Sequence, residues 1–429
     1  MCARSGNLTR RPASCPDWTW SPQIAAAKPS NRNRFPCFDG LRAIAALTVV
    51  GVHTSFVSGF TGRGGLGDYT ARLEIGVSVF FVISGFLLYR PFAASHFDRT
   101  APPAVGSFWV RRLKRIIPAY WLAFVVVTYI LHGDQVRHGV GSVLIYLGFL
   151  QIYSPHYVLS GITQAWSLCT EMTFYLMLPL WAMLLGRNSR DPDSQLNAEL
   201  AGLAGLVSVG LVYRVLVLRG HSAMAHTMPN WLPGYVDLFA LGMFLAVITA
   251  WFNVTGRQPK MLWHPALPWA SWSVAAGAFV AVSNLGLPWT PVTPSGVWMS
   301  LARQTLYGLF AFFIVLPAVV GPQESGAIRK LLTFKPVALI GAVSYGIYLW
   351  HEAWIAVFLR WTGDRLFTIP LLDIAAFTAL MATACATASY LLVERPILRA
   401  KPTLRFRSSR TQSTGGQPDK RVAAAVGAP

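Results

Sequence analysis

Apolar residues in this chain come in ten long runs, at 38–60, 74–94, 114–133, 166–186, 198–218, 233–253, 267–285, 300–320, 338–360 and 370–393. Each is close to the ~20 residues that carry an α-helix across a bilayer core. In lipid a backbone must satisfy its own N–H and C=O groups, so runs of this length predict helices. An eleventh apolar segment, 139–153, is short for a crossing and predicts a re-entrant or interfacial piece. The expected fold class is an all-α polytopic membrane protein, with about ten transmembrane helices plus one short re-entrant or interfacial segment.

The polar segments between the runs set the orientation. With the N-terminus in the cytoplasm and 139–153 not crossing, the inner loops hold Arg99, Arg111, Arg112, Arg187, Arg190, Arg257, Lys260, Arg329, Lys330 and Lys335. The outer loop 286–299 carries no charge. Counting 139–153 as a crossing would reverse every later loop, so the positive-inside rule favours ten spans with both termini cytoplasmic. Residues 1–37 read as a disordered basic N-tail, 38–400 as one membrane domain, and 401–429 as a disordered basic C-tail. The expected location is the cell membrane (plasma or inner), multi-pass. No cleavable signal peptide is evident, because the first apolar run begins near Phe38 after a long polar leader; that run serves as an uncleaved anchor.

Composition agrees. Hydrophobic residues make up 54% and charged residues 12% of the chain, against about 25% charged in soluble domains. The net charge of +19 is concentrated in the tails, with six Arg/Lys and one Asp in 1–34 and eight Arg/Lys and one Asp in 395–429. Such tails flanking apolar spans read as cytoplasmic retention signals. A nucleic-acid partner is excluded, since it would not need the apolar middle. The five cysteines form no CxxC and no ligand spacing, so neither a disulfide nor a metal is expected.

Ionisable groups inside spans are costly and usually functional. In the first span, Arg42 and His53 are eleven residues apart, which places them on one helix face, roughly 16 Å apart along the axis. In FWVRRLKRIIPAYW, Arg112 and Arg115 share a face at the start of the third span. Guanidinium forks suit phosphate, although plain topology charges would look the same. In AWSLCTEMTFYLMLP, Glu171 needs a partner, and a histidine is the obvious candidate. In GAVSYGIYLWHEAW, Ser344, Tyr348 and His351 form one polar stripe, with Glu352 beside it. The competing reading of these groups is interhelical hydrogen bonding. Together they predict a basic cluster at the cytoplasmic face and a cluster of His53, Glu171, His351 and Glu352 in the outer half.

The ordered set FDGLRAIAAL with Arg-x10-His, GVSVFFVISGFLL, RRLKRIIPAYW, WSLCTEMTFYL, SYGIYLWH and VERP resembles acyltransferase family 3, the membrane O-acyltransferases of the O-antigen and nodulation-factor acetylase type. Ser78, Met172 and Ala353 depart from the family's usual Asp, second acid and Pro. The resemblance implies transfer of an acyl group, often acetyl from acetyl-CoA, to a hydroxyl of a carbohydrate or lipid-linked glycan. Acyl-CoA enters as co-substrate, and no permanently bound cofactor is expected. Many members carry a fused extracytoplasmic esterase-like domain, for which this chain has no room.

On these grounds His53 and Glu171 are the candidate catalytic residues, with His53 as base and Glu171 orienting it or holding acceptor hydroxyls. Arg42, Arg112 and Arg115 are expected to bind the acyl-CoA phosphates. Trp166, Ser344, Tyr345, Tyr348 and His351 are candidate substrate contacts. The partners are then an acyl-CoA donor, a carbohydrate or glycolipid acceptor, and membrane lipid. The alternative is a transporter or flippase for a lipid-linked sugar, in which the same groups relay protons. No clear internal repeat supports it.

Overall fold

The computed structural model describes residues 35–399, except 132–138, 159, 187–190, 221–223, 225–226, 291–292, 294 and 324. Almost all of both basic tails therefore lies outside the described residues. From Pro36 onward the chain forms one compact unit.

Helices dominate, and no strand occurs among the described residues. The first half holds α1 (Cys37–Val57), α2 (Leu66–Thr70), α3 (Ile75–Asp98), α4 (Val105–Val125), α5 (Val140–Leu147), α6 (Trp166–Leu185) and α7 (Pro192–Arg219). The second half holds α8 (Val236–Thr255), α9 (Leu267–Ser283), α10 (Val297–Val319), α11 (Ala327–Leu332), α12 (Lys335–Ala342), α13 (Ser344–Thr362) and α14 (Leu371–Ser389).

Among the described residues, eight helical segments are long and apolar enough to cross a membrane. Helix α9 is apolar but shorter, and α13 is long enough but diluted by its polar stripe. They fall on the other two apolar runs. Segment 139–153 forms only the eight-residue α5 and a short turn of helix. Eight residues rise about 12 Å, far less than a ~30 Å hydrocarbon core.

Two boundaries differ from the sequence reading. Helix α4 begins at Val105 rather than 114, so Arg112 and Arg115 stand two to three turns inside it. The apolar run 338–360 is not one helix; it breaks at Val343, whose backbone leaves the helical range. The break lets α12 lie against the start of α1, where the Asp39 carbonyl oxygen touches the position a Cβ on Gly341 would fill.

Helix α3 is the axis of the bundle, packing on α8, α1, α10 and α6. Small residues allow its closest contact. Gly85 lies on the Phe239 backbone of α8, and Gly242 of α8 lies on the Val82 backbone of α3. Such pairs let helices approach where lipid supplies no hydrophobic drive between them. Phe86, Tyr89 and Phe92 fill the surrounding core.

Several polar groups tie helices together. Glu199 of α7 accepts from Tyr89 Oη at 2.6 Å and meets His96 Nδ1 at 2.6 Å. Asp237 accepts two bonds from Gln304 Nε2, at 3.0 and 2.9 Å. Glu74 accepts from Tyr307 Oη at 2.9 Å. Arg329 donates to the carbonyls of Pro317 and Val320 at 2.9 and 2.7 Å, satisfying the open end of α10. Burial holds the Arg329 pKa below the ordinary arginine value.

Candidate active site

One cavity opens among α1, α3, α4, α6 and α13. Its lining includes Arg42, Ser84, Arg112, Arg115, Glu171, Tyr175, Ser344, Tyr345 and Tyr348, interleaved with Val77, Phe80 and Leu87. Its enclosed volume is about 100 Å³. Its walls combine three guanidinium groups with apolar and aromatic surface, a pairing suited to an anion that carries an apolar part.

The helix starts explain why these groups meet. Arg42 lies on the second turn of α1 and is held at 3.4 Å by Asp39. Because α4 starts early, Arg112 and Arg115 reach the depth of Glu171. Arg112 stacks its guanidinium at 5.9 Å over Phe108, while its buried Nε has no hydrogen-bond partner. The break at Val343 brings the N-terminus of α13, with Ser344 and Tyr345, to the cavity wall. The unpaired N–H groups there add positive potential. Tyr345 Oη donates to the Ile116 carbonyl at 3.0 Å.

Tyr348 forms the far wall. Its hydroxyl donates to the Gln164 carbonyl at 2.8 Å and meets Ser167 Oγ at 2.8 Å. Its own carbonyl oxygen lies 2.8 Å from His351 Nδ1. Behind it sits a second polar group. The rings of His53 and His351 are 5.0 Å apart, and His53 Nδ1 is 3.2 Å from Glu352 Oε1. His351 is fully buried, and its Nε2 has no hydrogen-bond partner.

The sequence reading is corrected at Glu171, which does not stand beside His53. Glu171 accepts a hydrogen bond from Ser84 Oγ and shares the cavity with the three arginines. The carboxylate paired with His53 is Glu352, one helix position after His351. Two candidate contacts also sit outside the cavity lining. Trp166 packs on Tyr235 at 5.3 Å and on Phe81 at 6.4 Å, and Phe81 is itself in the wall. His351 belongs to the histidine pair.

Sequence reasoning missed Ser84, Tyr175 and Glu394 as neighbours of the site. Glu394, in VERP, lies close enough to Arg115 to attract it. Its place in that motif, just before Arg395, points to no partner on a distant helix.

An arginine-lined cavity inside a helical bundle, beside a histidine pair of which His351 is buried, marks a polytopic membrane protein with ionisable groups inside its bundle. A family model described as an acyltransferase domain matches residues 35–393, and the chain belongs to that family, acyltransferase family 3. That family is one of acyltransferases. The chain is 24% identical over 386 residues to a peptidoglycan O-acetyltransferase, OatA, of Listeria monocytogenes, covering 85% of this chain and 54% of that protein. It is 26% identical over 380 residues to an O-acetyltransferase, OatA, of Staphylococcus aureus, covering 84% of this chain and 57% of that protein. The chain thus spans about half the length of the curated relatives it matches. No solved structure matches it significantly.

Proposed function

We propose that this protein moves an acyl group, acetyl in the first instance, from cytoplasmic acyl-CoA to a hydroxyl of an envelope carbohydrate or glycolipid. The carrying observation is continuity: Tyr348 lines the arginine cavity with its ring and holds His351 with its carbonyl oxygen. A donor in the cavity is thus one residue away from the histidine pair. The relatives' names, which include a peptidoglycan O-acetyltransferase, support a glycan acceptor.

In this reading Arg42, Arg112 and Arg115 hold the donor's phosphates by charge-assisted hydrogen bonds. Ser344 and the N-terminal N–H groups of α13 assist. Glu171 holds the guanidinium groups together by offsetting their mutual repulsion. Glu352 accepts from His53 Nδ1–H, which leaves Nε2 as the basic nitrogen. His53 then takes the proton of the acceptor hydroxyl as its oxygen attacks the thioester carbonyl. The carbon–sulfur bond breaks as the tetrahedral intermediate collapses, and the imidazolium returns the proton to the departing thiolate. A positioned base of this kind supplies typically ~10²–10⁴-fold.

Purified protein, supplied with labelled acetyl-CoA and a glycan acceptor, tests this. Label on the glycan supports the reading. Label that never leaves CoA with any carbohydrate or glycolipid acceptor overturns it.

A further inference from the structure

The histidine group has a second capability that the transfer reaction does not use. His53, His351 and Glu352 each offer one ligand atom, and these atoms lie within 4.8 Å of one another. Two imidazoles and a carboxylate are ligands that Zn²⁺ accepts. Their arrangement is favourable at each position. His351 Nδ1 is fixed at 2.8 Å on the Tyr348 carbonyl, which keeps the proton there and leaves a lone pair on Nε2. That Nε2 is buried without any hydrogen-bond partner. Metal-binding histidines are typically anchored in this way, one nitrogen on a backbone carbonyl and the other free.

The separations are also close to what an ion needs. Bonds of about 2.0–2.1 Å at the tetrahedral angle put neighbouring ligand atoms ~3.3 Å apart. His53 Nδ1 and Glu352 Oε1 are 3.2 Å apart. A pair at the 4.8 Å limit would have to close by roughly 1.5 Å. His53 and Glu352 can supply that movement by side-chain rotation, since their side chains are 38% and 23% exposed. His351, fully buried, is the fixed point.

We propose that His53, His351 and Glu352 form an inhibitory site for a Zn²⁺-class transition-metal ion. The ion binds the two imidazoles and the carboxylate and leaves one position for water. A neutral imidazole has a single basic nitrogen, so an ion on His53 removes the lone pair that would accept the acceptor's proton. The buried acid–histidine pair, Glu199 with His96, brings one imidazole and, among the described residues, no third ligand. Binding is independent of the reaction. Only the inhibition rests on reading His53 as the base.

The test uses full-length protein in detergent, freed of metal with a chelator and titrated with Co²⁺ as a spectroscopic stand-in for Zn²⁺. The expected result is a visible d–d band that saturates with one bound ion and is bleached by Zn²⁺. His351→Ala and Glu352→Gln should each weaken binding by more than the roughly 10–100-fold that loss of an outer-shell partner costs. Size-exclusion profile and acetyl-CoA binding report whether each variant is folded, and His351→Asn replaces His351→Ala if that variant is not. Zn²⁺ should stop acetyl transfer over the range that fills the site, and chelator should restore it. Affinity and stoichiometry unchanged in folded variants would overturn the site, because the ions would then sit on other histidines. Saturation of the site with undiminished transfer would overturn the inhibition and count against His53 as the base, while leaving the donor cavity untouched.

Discussion

The arginine cavity and the histidine group share helices α1 and α13 yet follow opposite designs. The cavity is cationic, with one carboxylate among three arginines and a buried guanidinium nitrogen left without a partner. The histidine group is tight and includes a carboxylate, with its rings 5.0 Å apart and each imidazole held at one nitrogen. A space that carries excess charge is made to receive the opposite charge. A pair of imidazoles beside a carboxylate is suited to handling a proton. The contrast with Glu199, Asp237 and Glu74 is equally instructive. Those carboxylates have hydrogen-bonded partners on neighbouring helices and so brace the bundle.

Substitutions that strike one region and spare the other separate the two designs. The largest effect is expected from His53→Ala, which should lower acetyl transfer by about 10²–10⁴-fold while the protein still inserts in the membrane and binds acetyl-CoA. Retained transfer would remove proton handling from the histidine group. Next, Arg112→Ala should raise the KM for acetyl-CoA by about tenfold or more, the weight of a charge-assisted hydrogen bond of roughly 1.5–3 kcal/mol. Arg112→Lys should recover only part of this, because an ammonium lacks the planar fork. An unchanged donor KM would reduce Arg112 to a topology charge. Gly242→Val should destabilise the α3–α8 contact by about 1–3 kcal/mol, lowering thermal stability in detergent without a selective change in KM or kcat. The smallest effect is expected from Trp166→Phe. That ring stands behind Phe81 rather than in the cavity lining, so transfer should stay within about threefold; a larger loss would mean the acceptor reaches it.

Much of this architecture is legible in the amino-acid pattern alone. Ten apolar runs correspond to eight long spanning segments plus α9 and α13. The spacing of Arg42 and His53 places them on one face of one helix, because α1 is continuous between them. What the pattern does not show has physical causes. A helix can begin in polar sequence when its first turns lie outside the hydrocarbon, so hydropathy sets the start of α4 too late and Arg112 too shallow. The break at Val343 carries no proline and follows from α12 packing on α1, a tertiary contact that periodicity does not encode. Glu171 and Glu352 are both acids in apolar helices, and spacing alone cannot say which meets His53. Their partners come from helices far away in sequence.

The kinetic split between those two carboxylates is the most direct test that the regions divide the work. Glu352→Gln and Glu171→Gln are to be compared for kcat and for the KM of acetyl-CoA. The expected result is a fall in kcat with little change in donor KM for Glu352→Gln, and a change chiefly in donor KM for Glu171→Gln. The reverse pattern would contradict the assignment and return Glu171 to the catalytic histidine.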